Sequence, residues 1–217
     1  MNDELNLLQK ISIWVLPILF AITAHEAAHG WVASKLGDQT AQRYGRVTLN
    51  PIKHIDIIGT VIVPLLMLIL SGFVFGWAKP VPVNWHNLRQ PRRDMALVAL
   101  AGPGANLFMA IFWAIIAKFG LILSSNFESA VFLIYMGSAG ILINAILMIA
   151  NLLPILPLDG GRVVHSALPS NLAKPYARLE PFGLFILLAL LITNVLEAIL
   201  LPLVILMYQQ LSLLVGL

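Results

Sequence analysis

The chain has 217 residues, 59% of them hydrophobic and 11% charged, and a mean hydropathy of +0.90. That balance excludes an ordinary water-soluble domain and makes a lipid bilayer the expected partner, with no nucleic acid; the net charge of +3 could suggest an acidic partner, but in a membrane protein the placement of Lys and Arg matters more. The absence of cysteine removes disulfides, thiolate metal sites and cysteine nucleophiles together, so a metal would have to be held by His, Asp or Glu.

A helix that crosses a bilayer needs about 20 mostly apolar residues. Such stretches run over 11–33, 57–76, 95–117, 130–150 and 182–217, and the last is long enough for a hairpin. None shows the polar and apolar alternation of a barrel strand, and backbone polar groups in lipid must be satisfied within the segment. The predicted fold is therefore all-α: a polytopic helical membrane protein with about five to six membrane segments. The opening MNDELNLLQK lacks the positive start of a cleaved signal peptide, so the first span is read as retained.

Lys35, Arg43, Arg46 and Lys53 follow that first span; Lys79, Arg89, Arg92 and Arg93 follow the second; Arg162, Lys174 and Arg178 follow the fourth. These connections hold eleven of the 13 Lys and Arg residues, and the positive-inside rule assigns all three to the cytoplasm. The 57–76 run must then enter and leave on one side, as a re-entrant segment or short hairpin broken at Pro64 or Ser71-Gly72. The amino terminus starts outside, 95–117 runs outward and 130–150 returns. Phe182–Thr193 leads out again, and Leu196–Leu217 returns or lies against the bundle. With no repeat, low-complexity tract or glycine-rich linker, residues 1–217 read as one integral membrane domain, with a motif-bearing core over about 11–162 and C-terminal helices over about 181–217.

Within the first span, His25-Glu26-Ala27-Ala28-His29 places two imidazoles four residues apart, on one helix face and one turn apart. Both can reach one metal, and Glu26 stands where its carboxylate can act on a water as general base. A single histidine in an apolar helix is more often a packed, hydrogen-bonded residue. Three ionisable side chains within five positions of a membrane helix are another matter, because each charged side chain costs about 2.5–3.5 kcal/mol on insertion scales. A shared metal offsets that cost, and zinc suits imidazole and carboxylate ligands with a position left for water.

A third ligand must come from elsewhere. Asp159, in Asn151-Leu-Leu-Pro-Ile-Leu-Pro-Leu-Asp159-Gly160-Gly161, follows a stretch in which Pro154 and Pro157 prevent a continued helix. Irregular backbone there can carry Asp159 to the metal, or Asp159 can simply cap the next helix. Glu128, Glu180 and Glu197, the only later glutamates, are the alternatives.

Taken together, HEAAHG at 25–30, AGPGAN at 101–106 and NLLPILPLDGGR at 151–162 resemble, in order, the motifs of the site-2 protease family of intramembrane zinc metalloproteases, peptidase family M50. LNPIKHIDIIGT at 49–60 and FGWAKPVPVN at 75–84 are similar to the intervening segments of its compact members, which lack PDZ and CBS domains. The resemblance implies one zinc per chain held by His25, His29 and Asp159, Glu26 acting on water, and Asn151 holding the substrate backbone. It also implies cleavage of membrane-embedded protein substrates near the cytoplasmic side. A compact single-domain form suits a prokaryotic inner membrane, bacterial or archaeal. The sequence leaves oligomeric state and physiological substrate open.

Two other classes compete. A transporter or ion pathway would use the same His, Glu and Asp residues to pass a metal or proton, but the chain is short and lacks a repeated half. A scaffold that keeps the site without cleaving is the other. His54 and Asp56 read as a turn followed by a helix cap, and Asn144, on one stripe with Gly140 and Asn151, as an interhelical contact.

Overall fold

The computed structural model describes residues 6–63, 66 and 79–217. The first helix, α1 (Leu7–Lys35), opens with a capping box in which the Asn6 side chain accepts from Gln9 N and the Gln9 side chain accepts from Asn6 N, each at 2.9 Å. It closes on Lys35 in its last turn, where a cation complements the helix dipole. The short helix α2 (Thr40–Arg43) follows, then a 3-10 turn at Pro51–His54 and a wide turn at Ile57–Ile62 whose Asp56 cap accepts from Gly59 N at 2.7 Å. Most of the 57–76 run, including Pro64 and Ser71-Gly72, lies outside the described residues, and with it the expected reversal.

After the extended residues 79–84 and a 3-10 turn at Trp85–Asn87, α3 (Pro91–Ser124) begins with proline in its first turn, where the missing N–H costs nothing. It outruns the expected 95–117, because a helix ends where its caps are and not at the edge of the apolar run. The next is α4 (Val131–Asn151). The proline-broken stretch 152–158 leads into α5 (Asp159–Ala167) and α6 (Ser170–Ala177). The last two are α7 (Gly183–Ile192) and α8 (Val195–Val215), joined through Asn194 in a left-handed conformation.

Among the described residues, five helical stretches are long and apolar enough to cross a membrane: Ile11–Lys35, Pro91–Ser124, Glu128–Asn151, Ser170–Ile192 and Val195–Val215. No strand occurs among the described residues. The fold is thus all-α, and the protein is an integral membrane protein. Side-chain size is sorted the way lipid demands. The α3–α4 seam is built from Ala110, Ala114, Ala117, Gly137 and Gly140 around Trp113 and Ile141, while Phe108, Phe112, Phe119 and Ile122 of α3 project outward. Small residues let helix backbones approach, and exposed aromatics of that extent would aggregate in water. The final helix returns against this seam: Tyr208, Leu211 and Val215 pack on Trp113 and Ile141, and Leu200 and Met207 lie with Val204 against Ala145 and Ile149.

At one end of the bundle the basic connections meet. Arg89 N donates to Leu36 O at the end of α1, and the Arg92 guanidinium donates to Leu168 O and Ser170 Oγ between α5 and α6.

Candidate metal centre

The helical spacing of His25 and His29 puts their rings edge to face, with centroids 4.6 Å apart and Nε2 atoms 3.0 Å apart. Asp159, the first residue of α5, reaches the same point from the other side: Oδ2 is 3.3 Å from His25 Nε2 and Oδ1 is 3.4 Å from His29 Nε2. It gets there because α5 is pressed onto the irregular stretch before it. A Cβ on Gly160 would lie 2.1 Å from Leu152 O, and one on Gly161 2.5 Å from Leu156 N, so only glycine permits this approach.

The third wall is α3. A Cβ on Gly102 would stand 2.4 Å from His29 Nε2 and 2.5 Å from His25 Cε1, so the space between the ligating atoms exists because this residue has no side chain. Gly104 faces open space, which leaves Gly102 as the functional glycine of AGPGAN. Behind the imidazoles, His29 Nδ1 lies 2.7 Å from Val98 O and His25 Nδ1 lies 2.6 Å from Asn106 Oδ1.

These residues fit a metal ion. Two imidazole nitrogens and both oxygens of one carboxylate converge at a mostly buried point and bring no hydrogen of their own once the Nδ1 atoms hold the protons, a donor set that suits zinc. Among the described residues, His25, His29 and Asp159 form the one group of this kind. Neither Glu128 nor Glu197 joins them, both being exposed, and Glu180 is committed to a two-pronged ion pair with Arg162. Arg162 also lies over the Trp85 ring at 5.6 Å, so α5 is clamped to the 80s turn three residues beyond Asp159.

Glu26 points elsewhere on α1. Its Oε2 accepts from Val81 N at 2.7 Å, which anchors the extended residues 79–84 beside the histidines. Buried Arg46 holds the same stretch through Lys79 O and Pro80 O at 3.1 and 3.3 Å. Asp38 holds its far end through Asn84 N at 2.7 Å. Asn151 ends α4, and its Nδ2 donates to Leu147 O at 2.9 Å. His54 is buried with Nε2 3.0 Å from Thr48 O, in the turn expected for it.

Of the residues the sequence singles out, His25, His29 and Asp159 come together at one point and AGPGAN makes the close approach through Gly102, while Glu26 contacts Val81 N and Asn151 contacts Leu147 O. Sequence reasoning missed Val98 O and Val81 N, which are backbone groups and leave no mark in a sequence. It also missed Asp38, although Asp two residues before Thr40 is a recognisable turn signal.

The fold and this donor set define a helical membrane protein with a His-His-Asp group between α1 and α5 that could hold a metal ion. The family description Peptidase family M50 matches residues 124–194, which include Asn151 and Asp159. The chain is 36% identical over 183 residues to YwhC of Bacillus subtilis (strain 168), covering 82% of this chain and 80% of that protein. It is 28% identical over 201 residues to Rip2 of Mycolicibacterium smegmatis, covering 90% of this chain and 73% of that one. Both relatives carry provisional names as zinc metalloproteases. No solved structure matches the chain.

The chain belongs to peptidase family M50, the site-2 protease family. It is accordingly a membrane metalloendopeptidase, and family and donor set together call for zinc.

Proposed function

We propose that residues 1–217 act as one domain that hydrolyses peptide bonds in or beside transmembrane segments of other membrane proteins, with one zinc held by His25, His29 and Asp159. The observation that carries this reading is the convergence of the two Nε2 atoms and the Asp159 carboxylate, from α1 and α5, at 3.0–3.4 Å within a bundle of membrane-spanning helices. The chemistry zinc supplies when bound is polarisation of a carbonyl and acidification of a water.

The chain's own residues do the rest. Glu26 takes the proton of the attacking water and returns it to the departing amine, a role that asks for a carboxylate beside the ligands and not among them. Val81 N–H at 2.7 Å orients that carboxylate. Asn151 holds the substrate backbone: with Nδ2 tied to Leu147 O, the group it offers is Oδ1, suited to a substrate N–H.

A substrate helix must unwind before its carbonyls can be reached, and residues 81–84 are the edge against which it pairs. Pro82 has no N–H, Val81 gives its own to Glu26 and Asn84 gives its own to Asp38. Among the described residues that leaves Val83 as the donor, with pairing otherwise through carbonyls. The basic residues gathered at this end of the bundle support an active site toward the cytoplasm. The bacterial sources of both relatives support a prokaryotic inner membrane.

Purified protein is expected to hold about one zinc and to cleave a model transmembrane substrate. Glu26→Gln should keep the metal and lose about 10²–10⁴-fold in turnover, the usual contribution of a general base. Full activity in that variant sinks the mechanism, and ion flux in liposomes without proteolysis would favour a transport role.

A further inference from the structure

His29 and His25 are fixed in different ways. The Val98 carbonyl carries no hydrogen and can only accept, so at 2.7 Å it requires the proton of His29 on Nδ1. That leaves Nε2 with a lone pair, as a metal ligand needs. His25 meets an amide instead, and an amide offers either an acceptor or a donor depending on which way it is turned.

Its direction is set two steps away. Asn144 Nδ2 donates to Gly140 O at 2.8 Å, and because a carbonyl can only accept, Asn144 must turn its Oδ1 toward Asn106. Asn106 Nδ2 donates to that Oδ1 at 3.0 Å and to Ala21 O at 3.2 Å, both of them acceptors. Only Asn106 Oδ1 then remains to face His25 Nδ1, 2.6 Å away. Both asparagines are fully buried, so no water substitutes for a missing partner. Turned over, Asn106 would donate to Nδ1, force the proton onto Nε2 and aim its own oxygen at two others.

We infer that Asn106 and Asn144 form a positioning relay that holds His25 in the tautomer that presents Nε2 to the metal. Asn144 touches neither histidine and acts through Asn106. The inference rests on the zinc centre proposed above and adds a role to the AGPGAN asparagine and to a residue that otherwise reads as interhelical glue.

The test measures zinc affinity by chelator competition in the full chain. Outer-shell partners of metal-bound histidines are worth about 10–100-fold in affinity, and Asn106→Leu should cost that much. Asn144→Ala should cost about 3–10-fold, since Ala21 O still holds half of the orientation. Asn106→Asp retains an acceptor for His25 and should bind zinc more tightly than Asn106→Leu. A role in packing alone predicts the reverse, because the aspartate buries a charge.

In wild-type protein with 15N-labelled histidine, His25 should carry metal at Nε2 and a proton at Nδ1, a reading that needs no variant to fold. Metal on Nδ1, unchanged affinity in Asn144→Ala, or Asn106→Asp no better than Asn106→Leu overturns the relay. Wild-type protein that holds no zinc, or a His25→Ala variant that still does, overturns the metal centre itself.

Discussion

At the metal wall, two imidazoles and a carboxylate turn four lone-pair atoms toward one point, with their protons committed behind them to Val98 O and Asn106 Oδ1. At the basic end of the bundle, Asp38 gathers donors instead: Oδ1 accepts from Thr40 N, Thr40 Oγ1 and Asn87 Nδ2, and Oδ2 accepts from Asn84 N. Both carboxylates are largely or fully buried, but one faces acceptors and the other donors. The hub is satisfied by protein groups alone, whereas the wall reaches balance only with a cation. Stability and metal binding should therefore separate when each is broken.

The largest effect belongs to the wall. Asp159→Ala removes both carboxylate oxygens and leaves two imidazoles, so the variant should lose stoichiometric zinc on chelator washing while its helical content stays that of the wild type. Metal analysis and far-UV circular dichroism on one sample check this. Stoichiometric zinc in Asp159→Ala would mean a different third ligand, against the pairing of Glu180 with Arg162 and the exposure of Glu128 and Glu197.

Gly102→Ala comes next and sharpens the comparison, since it alters no ligand. Its Cβ would stand 2.4 Å from His29 Nε2, so the imidazoles must move apart. Overpacking of this kind costs about 1–3 kcal/mol, or about 5–150-fold if it falls wholly on zinc affinity. Gly104→Ala, two residues along and facing open space, is the control and should bind zinc as the wild type does. Equal affinities for the two variants would remove Gly102 from the site.

The contrast also explains what the sequence disclosed. HEAAHG was legible because a helix converts a spacing of four into one face, and Asp159 because two prolines mark where that periodicity stops. The five spans were legible from hydropathy, since bilayer thickness fixes their length. The polarity of the Asn106–Asn144 pair was not, because it depends on which carbonyls lie opposite, a property of helix packing. The clamp of Arg162 between Trp85 and Glu180 joins residues 77 and 18 positions away in the chain, and nothing local encodes it.

The smallest effect tests the hub and works through pH. Burial raises the Asp38 carboxyl, and the bonds from Thr40, Asn87 and Asn84 more than reverse that, so its folded value lies below the ordinary aspartate value of about 3.9. A carboxyl depressed by folding stabilises the protein above its unfolded value, and that contribution disappears as the pH falls through the folded value. Asp38→Asn puts an NH2 group among donors and removes the charge they serve. At pH 7 it should cost about 1.5–3 kcal/mol, the worth of a hydrogen bond to a charged group, and lower the unfolding midpoint by several degrees. Below about pH 4 the wild type begins to lose the same contribution, so the gap between the two midpoints should narrow toward pH 3. Zinc content at pH 7 should be equal in the two proteins, because the hub touches no ligand. A gap that stays constant from pH 7 to pH 3 would show that Asp38 acts by shape and not by charge, and a loss of zinc would show that the two regions are not separate.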